Sequence, residues 1–334
     1  MSFRLLKYLF FIPFIFIGCF YSFMQSNVKN GFFFSSLAAT LANSQNKYFD
    51  NNCNLGVNCI ALMSSRFKNL DHLKSIVSIS YDMDYSKMDS IDCLYSVVNL
   101  NYISNDEKIN RRMTSGISQN DIIKLQKPDY LARLKFVLYH PTIMRLRKDL
   151  EQSYMLARRR PDLYGPIDVS FYDLAETSFR HINTPILAFR TPRDSSEKGF
   201  INTFNHVTAQ AIISSFFSEE LGDLIGDLHE RNNMPEITSG RFSQSQLNDS
   251  LNNPEDNYID IINNEIGQKI GLKLKKKYNL NEKSLCTPIL LAAFLNDIQS
   301  YYMWAFEMGM DYYRPTDELV VKFSKKMNKL LIGS

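Results

Sequence analysis

Charge of one sign is scarce in this chain. Its 38 Lys and Arg face 35 Asp and Glu, a net charge of +3. That is too small for the electrostatic footprint of a nucleic-acid binder. Cysteine is scarce too, at five. No two form a Cys-x-x-Cys pair, which argues against a thiolate zinc site. There is no Gly-x-Ser-x-Gly, so no nucleophile elbow supports a Ser-His-Asp reading. No glycine loop stands ready to cradle a phosphate, and no internal repeat is visible. Histidine occurs five times.

What is there begins with the N-terminus. Arg4 and Lys7 precede an apolar run from Tyr8 to Tyr21, and the uncharged stretch reaches about Lys29. Basic residues before an apolar run are the layout of a signal peptide or signal anchor. The stretch is long enough for a crossing of about 20 residues. Arg4 and Lys7 on the cytoplasmic side would export the rest. Phe16-Ile17-Gly18-Cys19 resembles a bacterial lipobox, with Phe where Leu is usual. Residues 1–28 are therefore read as a signal anchor or lipoprotein-type signal, contacting the membrane. The main domain is placed on the exported side of the cell envelope.

Cys53, Cys59, Cys93 and Cys286 then allow two disulfides in three connectivities. Cys53–Cys59 with Cys93–Cys286 is one, and the others stay open.

The remaining pattern is helical, and the expected fold is mostly α, an irregular helical bundle behind the anchor. Residues 29–128 read as a tether and a small helical region. Leu70, Leu73, Ile76 and Val77 are spaced as on a helix, as are Ile91, Leu94, Tyr95 and Val98. No convincing alternating strand run stands out. Residues 129–334 read as a helical domain. Its first helix covers 129–160 and breaks at His140-Pro141. Arg145, Arg147, Lys148, Arg158, Arg159 and Arg160 form a basic run, read as a solvated face or a contact with anionic lipid headgroups. Residues 167–199 read as an irregular connector. Helices follow at 200–217, at 218–232 with Ser218 as cap, and at 256–278. A long helix opens at Cys286-Thr287-Pro288 and runs to about Tyr313. Thr316 caps the last one.

Polar residues at helical spacing mark three of these helices. Asn202, His206 and Gln210 flank the apolar stripe of Phe204, Val207 and Ala211. Gly222, Gly226 and His229 flank Leu221, Leu224, Ile225 and Leu228. The two glycines cost roughly 1 kcal/mol each in a helix, which suggests a close neighbour or room beside His229. Asp260, Asn264, Gly267 and Gly271 share one side of a helix whose core stripe is Ile259, Ile262, Ile266 and Ile270. Asn263 and Asn264 are costly to bury without partners. His229-Glu230 is not a zincin helix, because Asn233 stands where the second His belongs. A divalent metal at this site would need ligands from several helices.

The order of these residues resembles a bacterial domain family of unknown function. Its members show an N/D-x-F-R-H start, an A-H-E centre and an M-D-x-x-N-N-x-x-G end, often in exported proteins. Asn202-x-Phe204-x-His206, His229-Glu230 and Asp260-x-x-Asn263-Asn264-x-x-Gly267 carry the resemblance, over roughly residues 200–272. Asn205 replaces the usual Arg, Leu228 the Ala and Ile259 the Met. The resemblance implies a shared polar site and brings no settled activity with it.

Two functions are expected. The first is an envelope hydrolase, acting on peptidoglycan, lipid or protein. His206, His229, Glu230 and Asp260 would be acid/base groups or metal ligands, because histidine titrates near neutrality. Asn202, Asn263 and Asn264 would orient substrate or water. The second is a membrane-tethered binding or structural protein, in which the same residues form an interhelical hydrogen-bond network.

Overall fold

A computed structural model describes residues 57–66, 70–75, 77–84, 95–125, 130–249, 254–281 and 283–331. The apolar N-terminal run, Cys19, Cys53 and Cys93 lie outside them. Cys59 and Cys286 are buried free thiols. Among the described residues, no helix is long and apolar enough to cross a membrane.

The fold is mostly α with one small sheet. Strands β1 (Val77–Asp84), β2 (Tyr95–Ser104) and β3 (Glu107–Thr114) pair antiparallel in that order. This corrects the helical reading at Val77, Tyr95 and Val98, while Leu70 and Leu73 do lie on a short helix, Leu70–Lys74. Val98, Leu100 and Tyr102 alternate into the core from β2, and Ile109 and Met113 do so from β3. Asn99 and Asn101 fill the outward positions of that alternation; their poor strand propensity and the apolar pairs Val97-Val98 and Tyr102-Ile103 at its ends hide it. Ile91 and Leu94 lie outside the described residues. The β2–β3 turn is a two-residue loop. Asn105 and Asp106 both adopt positive φ, 48° and 67°, between the paired Ser104 and Glu107. Such a loop matches the right-handed strand twist, and Asn and Asp tolerate it better than most residues.

The principal helices are α1 (Arg147–Ala157), α2 (Phe171–Arg180), α3 (Asn202–Phe216), α4 (Glu219–Glu230), α5 (Pro254–Lys277), α6 (Pro288–Phe306) and α7 (Glu318–Leu331). Ahead of α1, a helix over Tyr130–Tyr139 stops at His140, and a short turn over Pro141–Arg145 follows the proline. Helix α2 falls in the stretch read as a connector. Its start is a capping box, with Ser170 and Asp173 each bonding the other's backbone N–H. Helix α6 ends at Phe306, short of Tyr313, because Glu307 turns left-handed at φ 50°.

One core runs through the sheet and the helices. Leu100, Ile109 and Met113 belong to it with Phe204, Ile262, Tyr302 and Phe323. Ile259, Ile262, Ile266 and Ile270 are fully buried along α5. Each contributes on the order of 1.5–3 kcal/mol by leaving water. Much of the basic run is neutralised locally: Arg145 pairs with Glu220, Arg147 with Glu151, Arg159 with Asp173 and Arg160 with Asp162.

Candidate metal centre

Helices α3 and α5 cross with almost no space between their backbones. A Cβ on Gly267 would stand 2.6 Å from the Val207 carbonyl oxygen, and one on Gly271 2.5 Å from that of Ala211. These glycines let the helices touch, and the contact aligns the polar stripe of one with that of the other. Helix α4 lies against the same pair. A Cβ on Gly222 would come within 2.8 Å of the Gln210 Oε1, whereas Gly226 leaves ordinary contact distance to Asn264.

That packing draws His206 of α3, His229 and Glu230 of α4, and Asp260 and Asn264 of α5 to one place. One ligand atom from each of His206, His229 and Glu230 can be chosen so that all lie within 4.8 Å of one another. The His206 and His229 ring centroids are 6.1 Å apart. Asn264 connects the set. Its Oδ1 is 2.9 Å from His206 Nδ1, and its Nδ2 donates to Glu230 Oε1 at 3.4 Å. Since its amide nitrogen faces the carboxylate, its oxygen accepts from His206 Nδ1–H. This fixes the tautomer and leaves the Nε2 lone pair facing the site.

Asp260 Oδ2 lies 3.3 Å from that Nε2, and Asn202 Nδ2 donates to Asp260 Oδ1 at 2.8 Å. A lone pair facing a carboxylate is repulsive unless a proton or a cation lies between them. Two ligand atoms on a tetrahedral zinc-type ion at ordinary bond lengths stand about 3.4 Å apart. The spacing suits either arrangement.

Glu230 and Asp260 are almost completely buried. Burial pushes both carboxyls well above their usual range, and neighbouring carboxylates add to it: Asp260 and Asp256 for Glu230, Asp256 for Asp260. Burial likewise pulls His206 below the usual histidine value, against the pull of its Asn264 bond. His229 is also lowered, by desolvation first and then by His206, Lys198 and Arg158. The residue is nonetheless exposed to solvent. Both imidazoles are therefore neutral near pH 7, the form in which histidine binds metal. His229 Nδ1 lies 3.5 Å from Gln119 Oε1 at the outer rim.

The amides separate by role. Asn202 and Asn264 hold site groups. Asn263 does not face the site, contrary to the expectation that it orients substrate. It is fully buried, accepts from the Leu62 backbone N–H at 2.8 Å and donates to the Leu62 carbonyl at 2.7 Å. The reason is angular, because neighbouring helical residues point about 100° apart. Asp256 and its ion-pair partner Lys198 were not singled out in the sequence. The signal for Asp256 is present, since Asp256, Asp260 and Asn264 repeat every four residues. Lys198 sits in a π-helical turn, Glu197–Ile201, with no comparable pattern.

No family model, curated protein or solved structure matches the chain.

Proposed function

We propose that His206, His229 and Glu230 hold a divalent metal ion and that the chain is a metal-dependent hydrolase of the cell envelope. One observation carries this reading: two neutral imidazoles and a buried carboxylate converge from two helices, with an opening at His229. Two histidines and a glutamate with a free fourth position make a catalytic zinc-type donor set. Forming it draws the ligand atoms together by up to about 1.4 Å, within reach of side-chain rotation. The ion would supply a water molecule of lowered pKa. Asp260, held by Asn202, stands where it can take the proton. Asn264 keeps His206 and Glu230 in register, as partners behind metal ligands do. The exposed side of His229 is the entry for substrate.

The fully structural alternative is less well supported, because a network built only to fix helix register has no need of a solvent-reachable histidine beside two buried acids. The envelope placement rests on the sequence of the N-terminal run.

The test is metal analysis of the purified full-length chain with titration calorimetry using Zn²⁺ and Mn²⁺. The wild type is expected to bind one ion, and His229→Ala and His206→Ala to lose it. A wild type that binds neither metal above the level of both variants sinks the proposal.

A further inference from the structure

The helix over Tyr130–Tyr139 is built inside out. It has no buried residue. Tyr130, Leu131, Leu134, Leu138 and Tyr139 are each more than half exposed. They share one side, at i, i+3, i+4, i+7 and i+8 spacings, with Lys135 among them. The half-buried side toward the protein is Ala132, Arg133, Phe136 and Val137. A surface helix of a globular protein turns its apolar stripe to the core. Here the stripe faces outward, and an apolar patch of this kind marks an interaction surface.

Charge selects the occupant. Residues 130–148 contain no Asp or Glu and five basic residues: Arg133, Lys135, Arg145, Arg147 and Lys148. Arg145 and Arg147 are ion-paired with Glu220 and Glu151, while Lys135 and Lys148 stand exposed. Leucines and tyrosines with Lys135 among them, and no acid within the helix, make a surface for a layer that is apolar below and anionic above. That is the chemistry of an interfacial helix. The chain's own apolar N-terminal run, read as an anchor, would deliver this surface to a bilayer.

We infer that the Tyr130–Tyr139 helix lies in the headgroup region of an anionic bilayer, with Leu131, Leu134 and Leu138 directed into the acyl layer. It is a second membrane contact beside the N-terminal run, and it gives the domain a fixed orientation on the surface. The inference does not depend on the metal centre.

The test places a reporter on the helix of the full-length chain. Trp304 is the single native tryptophan. Leu134→Trp adds one at the centre of the stripe, and the wild type supplies the background. Fluorescence is read on vesicles of phosphatidylcholine alone and of phosphatidylcholine with phosphatidylglycerol, each with brominated acyl chains. Because the reporter is local, the N-terminal run cannot produce its signal. The added tryptophan is expected to be quenched on the anionic vesicles, more by lipid brominated near the headgroup than near the chain end. Lys135→Glu with Lys148→Glu should weaken that quenching by roughly 25-fold or more in lipid concentration, at about fivefold per lysine removed from the surface. Circular dichroism confirms that the variants are folded. Absence of quenching, or quenching equal on both vesicles, overturns the inference. So does a reporter already shielded without lipid, which would mean that a second copy or another part of this chain covers the stripe.

Discussion

Asn264 and Glu265 are neighbours on α5 with opposite tasks. Asn264 bridges a histidine and a carboxylate. Asn264→Ala is expected to lower zinc affinity by about 10- to 100-fold, the usual loss for a group behind a metal ligand. Competition calorimetry against a chelator reads it. An unchanged affinity would show that the amide does not orient the ligands. Glu265 points the other way, toward Arg111 of β3, which also bonds Asp223 and Asp227. Desolvation, with repulsion from Asp223 and Asp227, outweighs Arg111 and pushes Glu265 up to about 7. The sign follows directly. Between the unfolded value of 4.5 and about 7 the folded chain keeps a proton that the unfolded chain has released. The contribution of this carboxyl to stability therefore falls as pH rises through that window and is level above it, by at most about 1.4 kcal/mol per pH unit. Glu265→Gln should remove this share of the slope in urea titrations run from pH 4.5 to 8, and leave that of the buried Glu230 and Asp260 in place. At this scale the sequence was informative about identity and weak about direction. His206, His229, Glu230 and Asp260 were legible as helical stripes. The opposite fates of Asn263 and Asn264 depend on where α5 sits in the packing, which a single helix does not reveal.

Elements differ in how openly they announce themselves. Helices α3, α4 and α5 were visible because apolar residues recur along them and Ser218 caps α4, accepting from the Leu221 N–H. The sheet is hard to see, because the outward positions of β2 are Asn, a poor strand former, and its strands are completed by pairing with one another. The two-residue Asn105-Asp106 turn was its best local sign. Helix α2 was missed because proline pairs on its far side, Thr184-Pro185 and Thr191-Pro192, gave the whole stretch a broken look. The glycines of α5 were read correctly as side-sharing with Asp260 and Asn264, but their purpose is the backbone contact with α3. Gly267→Ala forces a methyl group to within 2.6 Å of the Val207 oxygen, so the helices must separate. The expected cost is about 1–3 kcal/mol, the range for overpacking. A second consequence follows, since His206 sits one residue before Val207. Separation of the helices lengthens the His206–Asn264 bond, and zinc affinity should fall together with stability. A variant as stable as wild type with unchanged affinity would contradict this account of the crossing.

Across the whole molecule, the segment from Val57 to Arg66 laces the helices together from outside the bundle. Tyr301 of α6 donates to the Cys59 carbonyl and accepts from the Ala61 N–H. Thr203 of α3 and Asn263 of α5 both donate to the Leu62 carbonyl. The lacing reaches the same two helices that carry the site but through different side chains: Thr203 and Asn263 hold Leu62, while His206, Asp260 and Asn264 meet in the site. Asn263→Ala and Asn264→Ala should therefore separate the two roles. Asn263→Ala leaves the Leu62 N–H buried without its partner, at a cost of about 1–3 kcal/mol. It should lower the urea midpoint of the metal-free chain while leaving zinc affinity within a factor of two or so, because it removes no group that touches a ligand. Asn264→Ala should do the reverse, with the larger loss in affinity. Saturating zinc adds a further check, since an ion at 100 times its dissociation constant stabilises a folded chain by about 2.7 kcal/mol. Wild type and Asn263→Ala should gain that increment alike, and His229→Ala should gain none. If Asn263→Ala weakened zinc binding as strongly as Asn264→Ala, the lacing and the site would be one cooperative unit, and the division of roles along α5 would have to be given up.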